Sequence, residues 1–107
     1  MITGKRFVFD IDGVVDSMPS GSKVYSDAVP DKKMIERINK LYDAGNYIIF
    51  FTARGYVTGM DWRAVTEKQF EVWGLKYHEL IFGKPNADYY IDDKMLAMDK
   101  IDELIEE

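Results

Sequence analysis

Two aspartates, Asp10 and Asp12, follow directly on the apolar residues Phe7, Val8 and Phe9, with only Ile11 between them. Thr52 and Arg54 follow a second apolar run, Lys84 follows a third, and Asp92 and Asp93 follow a fourth. Residues i and i+2 of an extended chain share a face about 6–7 Å apart, so Asp10 and Asp12 can approach one small ligand together. Two like charges about 4 Å apart repel by roughly 4 kcal/mol at an effective dielectric of 20. A hard divalent cation relieves that repulsion, and oxygen ligands with a few retained waters suit Mg²⁺. A hydroxyl at Thr52 and positive charge at Arg54 and Lys84, around the same point, describe a phosphate pocket. An aspartate there can attack phosphorus and form an aspartyl-phosphate. A second aspartate two residues on can protonate the leaving oxygen and later activate water.

These groups act together only if the elements that carry them end side by side. Lys5–Phe9 reads as a first strand. Gly13–Val29, with Pro19, Gly21 and four serines, reads as a loop or short hairpin in which Val24 and Tyr25 take part. Pro30 suits the first turn of a helix, along which Met34, Ile35, Ile38, Leu41 and Tyr42 recur at helical spacing up to a stop at Gly45. The run Tyr47–Phe51 is continuously apolar, as in a strand covered on both faces. A two-glycine loop over 52–60 leads to a second helix capped by Asp61, with Trp62, Val65, Phe70 and Trp73 on its core face and Gly74 at its end. Leu80–Phe82 and Tyr89–Ile91 read as two further short strands, and Ala97, Ile101, Leu104 and Ile105 mark a last helix.

Strands and helices alternate, which predicts an α/β fold with a mainly parallel sheet of about four strands. Ligands bind such sheets beyond the carboxyl ends of the strands. Every group named above sits at such an end. Each also has an ordinary reading by itself. A DxDG stretch makes turns or calcium loops, although its glycine comes too early for an EF-hand. Thr52 reads as a strand-end hydroxyl, Lys84 as a solvated cation, Arg54 as a surface ion pair, and Asp92-Asp93 as a helix cap. The order of all of them along successive strands is what favours a single site.

Composition narrows the classes. The chain has 107 residues, 47% of them apolar and 14% aromatic, which fits one folded domain. It has no cysteine, which excludes disulfides, zinc–thiolate sites and thiol nucleophiles. The single histidine, His78, argues against a His-based zinc site or a Ser-His-Asp triad and reads as structural or exposed. A net charge of −5 weakens the case for a broad nucleic-acid surface. No apolar run approaches a membrane span, and MITGKRFVFD has no signal-peptide layout, so a cytoplasmic protein is expected.

The motifs resemble those of the haloacid dehalogenase (HAD) superfamily of phosphotransferases. FVFDIDGVV resembles its first motif, FFT its second, the lysine of GKP its third and YIDD its fourth. The resemblance covers nearly the whole chain. It implies a three-layer, Rossmann-like core, with Asp10 as nucleophile and Asp12 as general acid/base. It implies that Thr52, Ala53, Arg54 and Lys84 bind the phosphoryl group. Mg²⁺ would be held by the Asp10 carboxylate, the Asp12 carbonyl and one or both of Asp92 and Asp93. Val14 departs from the threonine usual after DxDG. TARG, TGMDW, WGLKY and GKPNADYYIDDK further resemble small HAD proteins of capsule or surface-polysaccharide biosynthesis, and more distantly the phosphatase half of polynucleotide kinase-phosphatases.

No segment is long enough for a folded cap domain. The stretch 13–29 is then a flap, with Met18, Ser20, Ser22, Lys23 and Tyr25 as candidate substrate contacts. An open site suits a large substrate or closure by a partner subunit. The resemblance therefore implies a Mg²⁺-dependent phosphomonoester hydrolase acting on a phosphorylated sugar or glycan precursor, with a homo-oligomer possible. Three alternatives stay open. One is a nucleotide or 3′-nucleic-acid-end phosphatase, for which Arg54 argues. Another is a phosphorylatable regulatory domain like bacterial receivers, whose acceptor aspartate comes after an early acidic pair, unlike the order here. The last is a binding protein with a relict site.

Overall fold

A computed structural model describes residues 1–20, 22 and 24–106. The elements in chain order are β1 (Arg6–Phe9), β2 (Asp16–Ser17), β3 (Val29–Pro30), α1 (Lys32–Asp43), β4 (Tyr47–Thr52), α2 (Arg63–Trp73), β5 (Glu79–Phe82) and α3 (Ile101–Glu106). Short 3₁₀ turns occupy Tyr25–Asp27 and Met98–Lys100. The fold is α/β, and its main sheet has the order β1-β4-β5 with both pairings parallel.

Local chemistry explains the boundaries. Asp31 caps α1, its side chain accepting the Met34 amide. Pro30, expected in the first turn of that helix, belongs instead to β3, which pairs antiparallel with β2. The stretch 13–29, expected as a loop or short hairpin, carries the paired strands β2 and β3 near its two ends, and Val24 and Tyr25 lie outside them, Tyr25 in a 3₁₀ turn. Asp61 supports the start of α2 from just outside it, accepting the Arg63 amide, and Gly74 ends the helix in the left-handed conformation. His78 is structural, as expected. Its Nδ1 accepts the Ile48 amide at 3.0 Å, and its ring stacks on Tyr42 and Tyr47.

The register sorts the sheet's side chains. Phe9, Ile48, Phe50 and Leu80 share one face, since Phe7 pairs with Ile48, Phe9 with Phe50 and Phe50 with Leu80. That face joins Met34, Ile35, Ile38 and Leu41 of α1, Phe70 of α2 and Ile101 of α3 in one buried cluster. Steps from β1 to β4 to β5 run in one direction across the sheet, and right-handed crossovers then place both connecting helices on the same side. The opposite face carries Val8, Ile49, Phe51 and Ile81, none of which belongs to that cluster. Val8 is 63% exposed and Ile81 40%, while Ile49 is buried.

Two expectations are corrected here. The sheet has three strands, not about four, because Tyr89–Ile91 forms no strand. The helices cover one face of it, so the described residues form two layers where three were expected. Both corrections have one cause. The segment 85–97 leaves the sheet after β5, runs without regular structure and rejoins the core only at Ile101. Arg37 of α1 fixes that return by a two-bond pair with Asp102, Nε–Oδ1 at 2.7 Å and Nη2–Oδ2 at 3.1 Å.

Candidate active site

Parallel strands place the ends of β1, β4 and β5 along one edge, and the expected residues of those ends do meet there. The Lys84 amide donates to the Thr52 carbonyl at 3.1 Å, which carries the β4–β5 pairing one step past β5. This brings Lys84 Nζ to 3.4 Å from Asp10 Oδ2. Asp10 Oδ1 accepts the Ile11 amide, which fixes the carboxylate's orientation. Thr52 is buried, and its Oγ1 accepts the Arg54 amide at 3.0 Å. Ala53, half-buried, begins the turn in which its carbonyl accepts the Tyr56 amide. Gly55 lets that loop close: its φ is +78°, and a Cβ there would lie 2.1 Å from the Met60 carbonyl oxygen.

Arg54 turns inward. Its side chain is fully buried and all five guanidinium N–H groups are used. Nε and Nη2 grip Asp12 at 3.0 and 2.9 Å, Nη2 also reaches Asp16 at 3.1 Å, and Nη1 donates to Thr66 and Gln69. The Tyr25 ring covers the guanidinium at 4.9 Å. The flap is held in place by the same residues, since Gln69 Nε2 donates to the Tyr25 carbonyl and Trp62 meets the Tyr25 ring edge-on. Arg54 therefore builds the site's wall and orients Asp12.

Sequence reasoning missed Asp16, Thr66 and Gln69. Asp16 is buried, and its Oδ1 accepts the Gly13 amide. Burial first, and then the hydrogen bond and negative charge of Asp12, push its carboxyl up to about 7, against the opposing pull of Arg54. The spacing DGVVD carried a weak signal, because a tight turn in which the Ile11 carbonyl accepts the Val14 and Val15 amides returns the chain toward Asp12. Thr66 and Gln69 lie three apart on α2 and gave none.

Of the flap candidates, Met18 and Ser22 are half-buried and Ser20 is exposed. Ser22 Oγ donates to Asp27. Lys23 lies outside the described residues.

Asp92 and Asp93 are not brought to this edge. Both are exposed, and Asp92 accepts the Lys94 amide locally. Among the described residues no group of three or more His, Asp or Glu side chains is placed to hold a metal. Among the described residues the four aspartates of the implied Mg²⁺ set do not form one group: Lys84 and Arg54 lie on the Asp10 and Asp12 carboxylates, and Asp92 and Asp93 stand exposed. An open depression of about 570 Å³ lined by Glu67, Lys68, Glu71 and Tyr77 contains none of the strand-end residues. No helix among the described residues is long and apolar enough to cross a membrane.

No family model matches the chain, and no curated protein does. Among solved structures, the crystal structure of an MCSG target from Vibrio cholerae is similar, with a TM-score of 0.77 at 21% identity over 95% of this chain and 97% of that one. At that identity the likeness speaks to the α/β fold and not to chemistry.

Proposed function

We propose that the chain is a phosphomonoester hydrolase working through an aspartyl-phosphate on Asp10. The observation that carries this reading is the Asp10–Lys84 pair at the strand ends, a carboxylate held beside a cation at 3.4 Å. An Asp10 oxygen would bond to phosphorus as the bond to the leaving alcohol breaks. Lys84 would offset charge on the phosphoryl oxygens. The alcohol oxygen would take a proton from Asp12. Asp12 would then accept a proton from water as the water oxygen attacks phosphorus, releasing phosphate and restoring the Asp10 carboxylate. Asp16, whose carboxyl burial and the neighbouring Asp12 push up to about 7, shares the Arg54 guanidinium with Asp12.

The reading keeps Mg²⁺ as cofactor and a phosphorylated sugar or glycan precursor as substrate, both from the motif resemblance. It keeps a cytoplasmic setting and a capless site. The nucleic-acid-end alternative loses its main support, since the guanidinium of Arg54 is buried on Asp12 and Asp16.

Phosphate release from a panel of phosphorylated sugars, nucleotides and an aryl phosphate tests this, run with Mg²⁺, with chelator and with Asp10→Asn. Release that requires Asp10 and Mg²⁺ is expected. Release that survives Asp10→Asn would reject the aspartyl-phosphate on Asp10, and none from folded protein on any compound would reject the hydrolase.

A further inference from the structure

We infer that the chain acts as a two-fold dimer in which segment 85–97 of each copy lies along the free edge of β1 in the other, carrying Asp92 and Asp93 to that copy's Asp10. The segment carries large apolar side chains that face outward: Tyr89 is 85% exposed and Ile91 96%, and Met95 and Leu96 are also exposed. It is tethered at both ends, by β5 and by the Arg37–Asp102 pair, so its outward course is not a frayed terminus. The radius of gyration, 13.9 Å, exceeds the roughly 13 Å of a compact domain of this length. The likeness to the Vibrio cholerae structure spans too much of the chain to leave this segment out.

The surface that would receive it is on the same molecule. β1 pairs only with β4 among the described residues, leaving one edge open, and Val8 stands exposed beside it on the uncovered face. Parallel sheets are ordinarily covered on both faces, and exposed apolar areas of this kind mark interfaces. Tyr89–Ile91 has the pattern of a strand and pairs with no strand among the described residues. Laid parallel to Phe7–Phe9, it matches in length and in the residue at its carboxyl end: YYI leads to Asp92 as FVF leads to Asp10. At a strand spacing of about 4.8 Å the two carboxylates become neighbours. In its own copy, the segment starts beyond β5, two strands away from that edge, and Tyr90 is turned back, its ring over Lys84 at 4.2 Å and its hydroxyl bonded to the Pro85 carbonyl. Because arm and edge belong to one sequence, mutual exchange uses the same contact twice and closes at two copies. The arm's placement stands on geometry, and its role for Asp92 and Asp93 rests on the function proposed above.

The mass of the full chain by light scattering is expected to be that of a dimer. Ile91→Arg is expected to give a folded monomer by circular dichroism. A monomer at every concentration for the wild type, or an unchanged dimer for Ile91→Arg, would overturn the exchange. Co-expression of Asp10→Asn with an Asp92→Asn/Asp93→Asn chain separates the arrangements by activity. Half of the dimers would be hybrids with one intact site of two, giving about a quarter of wild-type phosphate release. No recovery from an active wild type means each arm serves its own copy and rejects the proposal. A wild type that releases no phosphate defeats the proposed function, while the mass measurements still decide the exchange.

Discussion

Arg54 holds Asp12 in a two-bond fork, with Nε on Oδ2 at 3.0 Å and Nη2 on Oδ1 at 2.9 Å, and the arginine side chain is fully buried. Both oxygens of Asp12 are therefore oriented by one planar group. A carboxylate fixed this way can meet a substrate oxygen in only a few poses, and the fork is costly to rebuild after mutation.

Arg54→Ala leaves Asp12 and Asp16 side by side without their cation, and strips Thr66 and Gln69 of a shared donor. We expect a loss of about 3–5 kcal/mol of stability, the range for breaking one side of a buried pair. Arg54→Lys keeps the charge but not the fork and is expected to fall between Ala and the wild type. Urea unfolding of the three proteins checks this. A loss under about 1 kcal/mol for Ala would mean that the guanidinium is an ordinary surface pair.

Asp16 makes stability depend on pH in an unusual direction. Its carboxyl is raised from 3.8 to about 7 by burial and by Asp12, so the folded chain holds a proton there that the unfolded chain releases near pH 4. The native state then binds more protons between about 4 and 7, and this contribution to stability falls as pH rises through that window and is lost above it. Asp16→Asn is expected to be less stable than the wild type at pH 4, because an amide must turn a donor toward either Arg54 or the Gly13 amide. Its slope across pH 4–7 is expected to be flatter. Unfolding in chelator at four pH values measures both, and equal slopes would reject the assignment.

How much could be read in the sequence divides along local and long-range physics. Helical spacing located α1 and α2, and Gly74 marked a real end. Asp10, Asp12, Thr52 and Lys84 were legible because strand ends in parallel sheets meet by topology. Arg54 was placed correctly but assigned a ligand contact, since nothing in a linear pattern tells a cation facing solvent from one facing Asp12. Asp16 and Gln69 enter through tertiary contacts 38 and 15 residues from Arg54 and left little local trace. Tyr89–Ile91 has strand composition, yet composition does not say which sheet, or which copy's sheet, a strand joins.

His78→Ala tests a structural contact that lies outside the site. His78 Nδ1 accepts the Ile48 amide where β5 has not yet begun, so the ring extends the ladder by one bond. Its loss leaves that amide without a side-chain partner and removes two ring stacks, and about 1–3 kcal/mol is expected from the amide alone. Hydrogen exchange at the Ile48 amide is expected to accelerate, with the Thr52 and Lys84 amides unaffected. Unchanged protection at Ile48 would mean that the bond is not formed in solution.

Lys84→Met separates the chemistry from the scaffold. Lys84 is 17% exposed, its amide is bonded to the Thr52 carbonyl whatever the side chain, and Met keeps most of the stem while taking the charge from Asp10 and from the Tyr90 ring. A partly exposed pair with Asp10 is worth about 0–1 kcal/mol to folding, so unfolding is expected to move little. If Lys84 offsets charge that develops on the phosphoryl oxygens, its removal is expected to cost about 10²–10³ in kcat, as for other lost transition-state donors, with a smaller change in KM. Phosphate release and urea unfolding on the same preparation give both numbers. An equal fall in activity and stability would make Lys84 a structural residue. An unchanged kcat in an active enzyme would remove it from the phosphoryl site and leave the Asp10–Lys84 pair as a strand-end contact only.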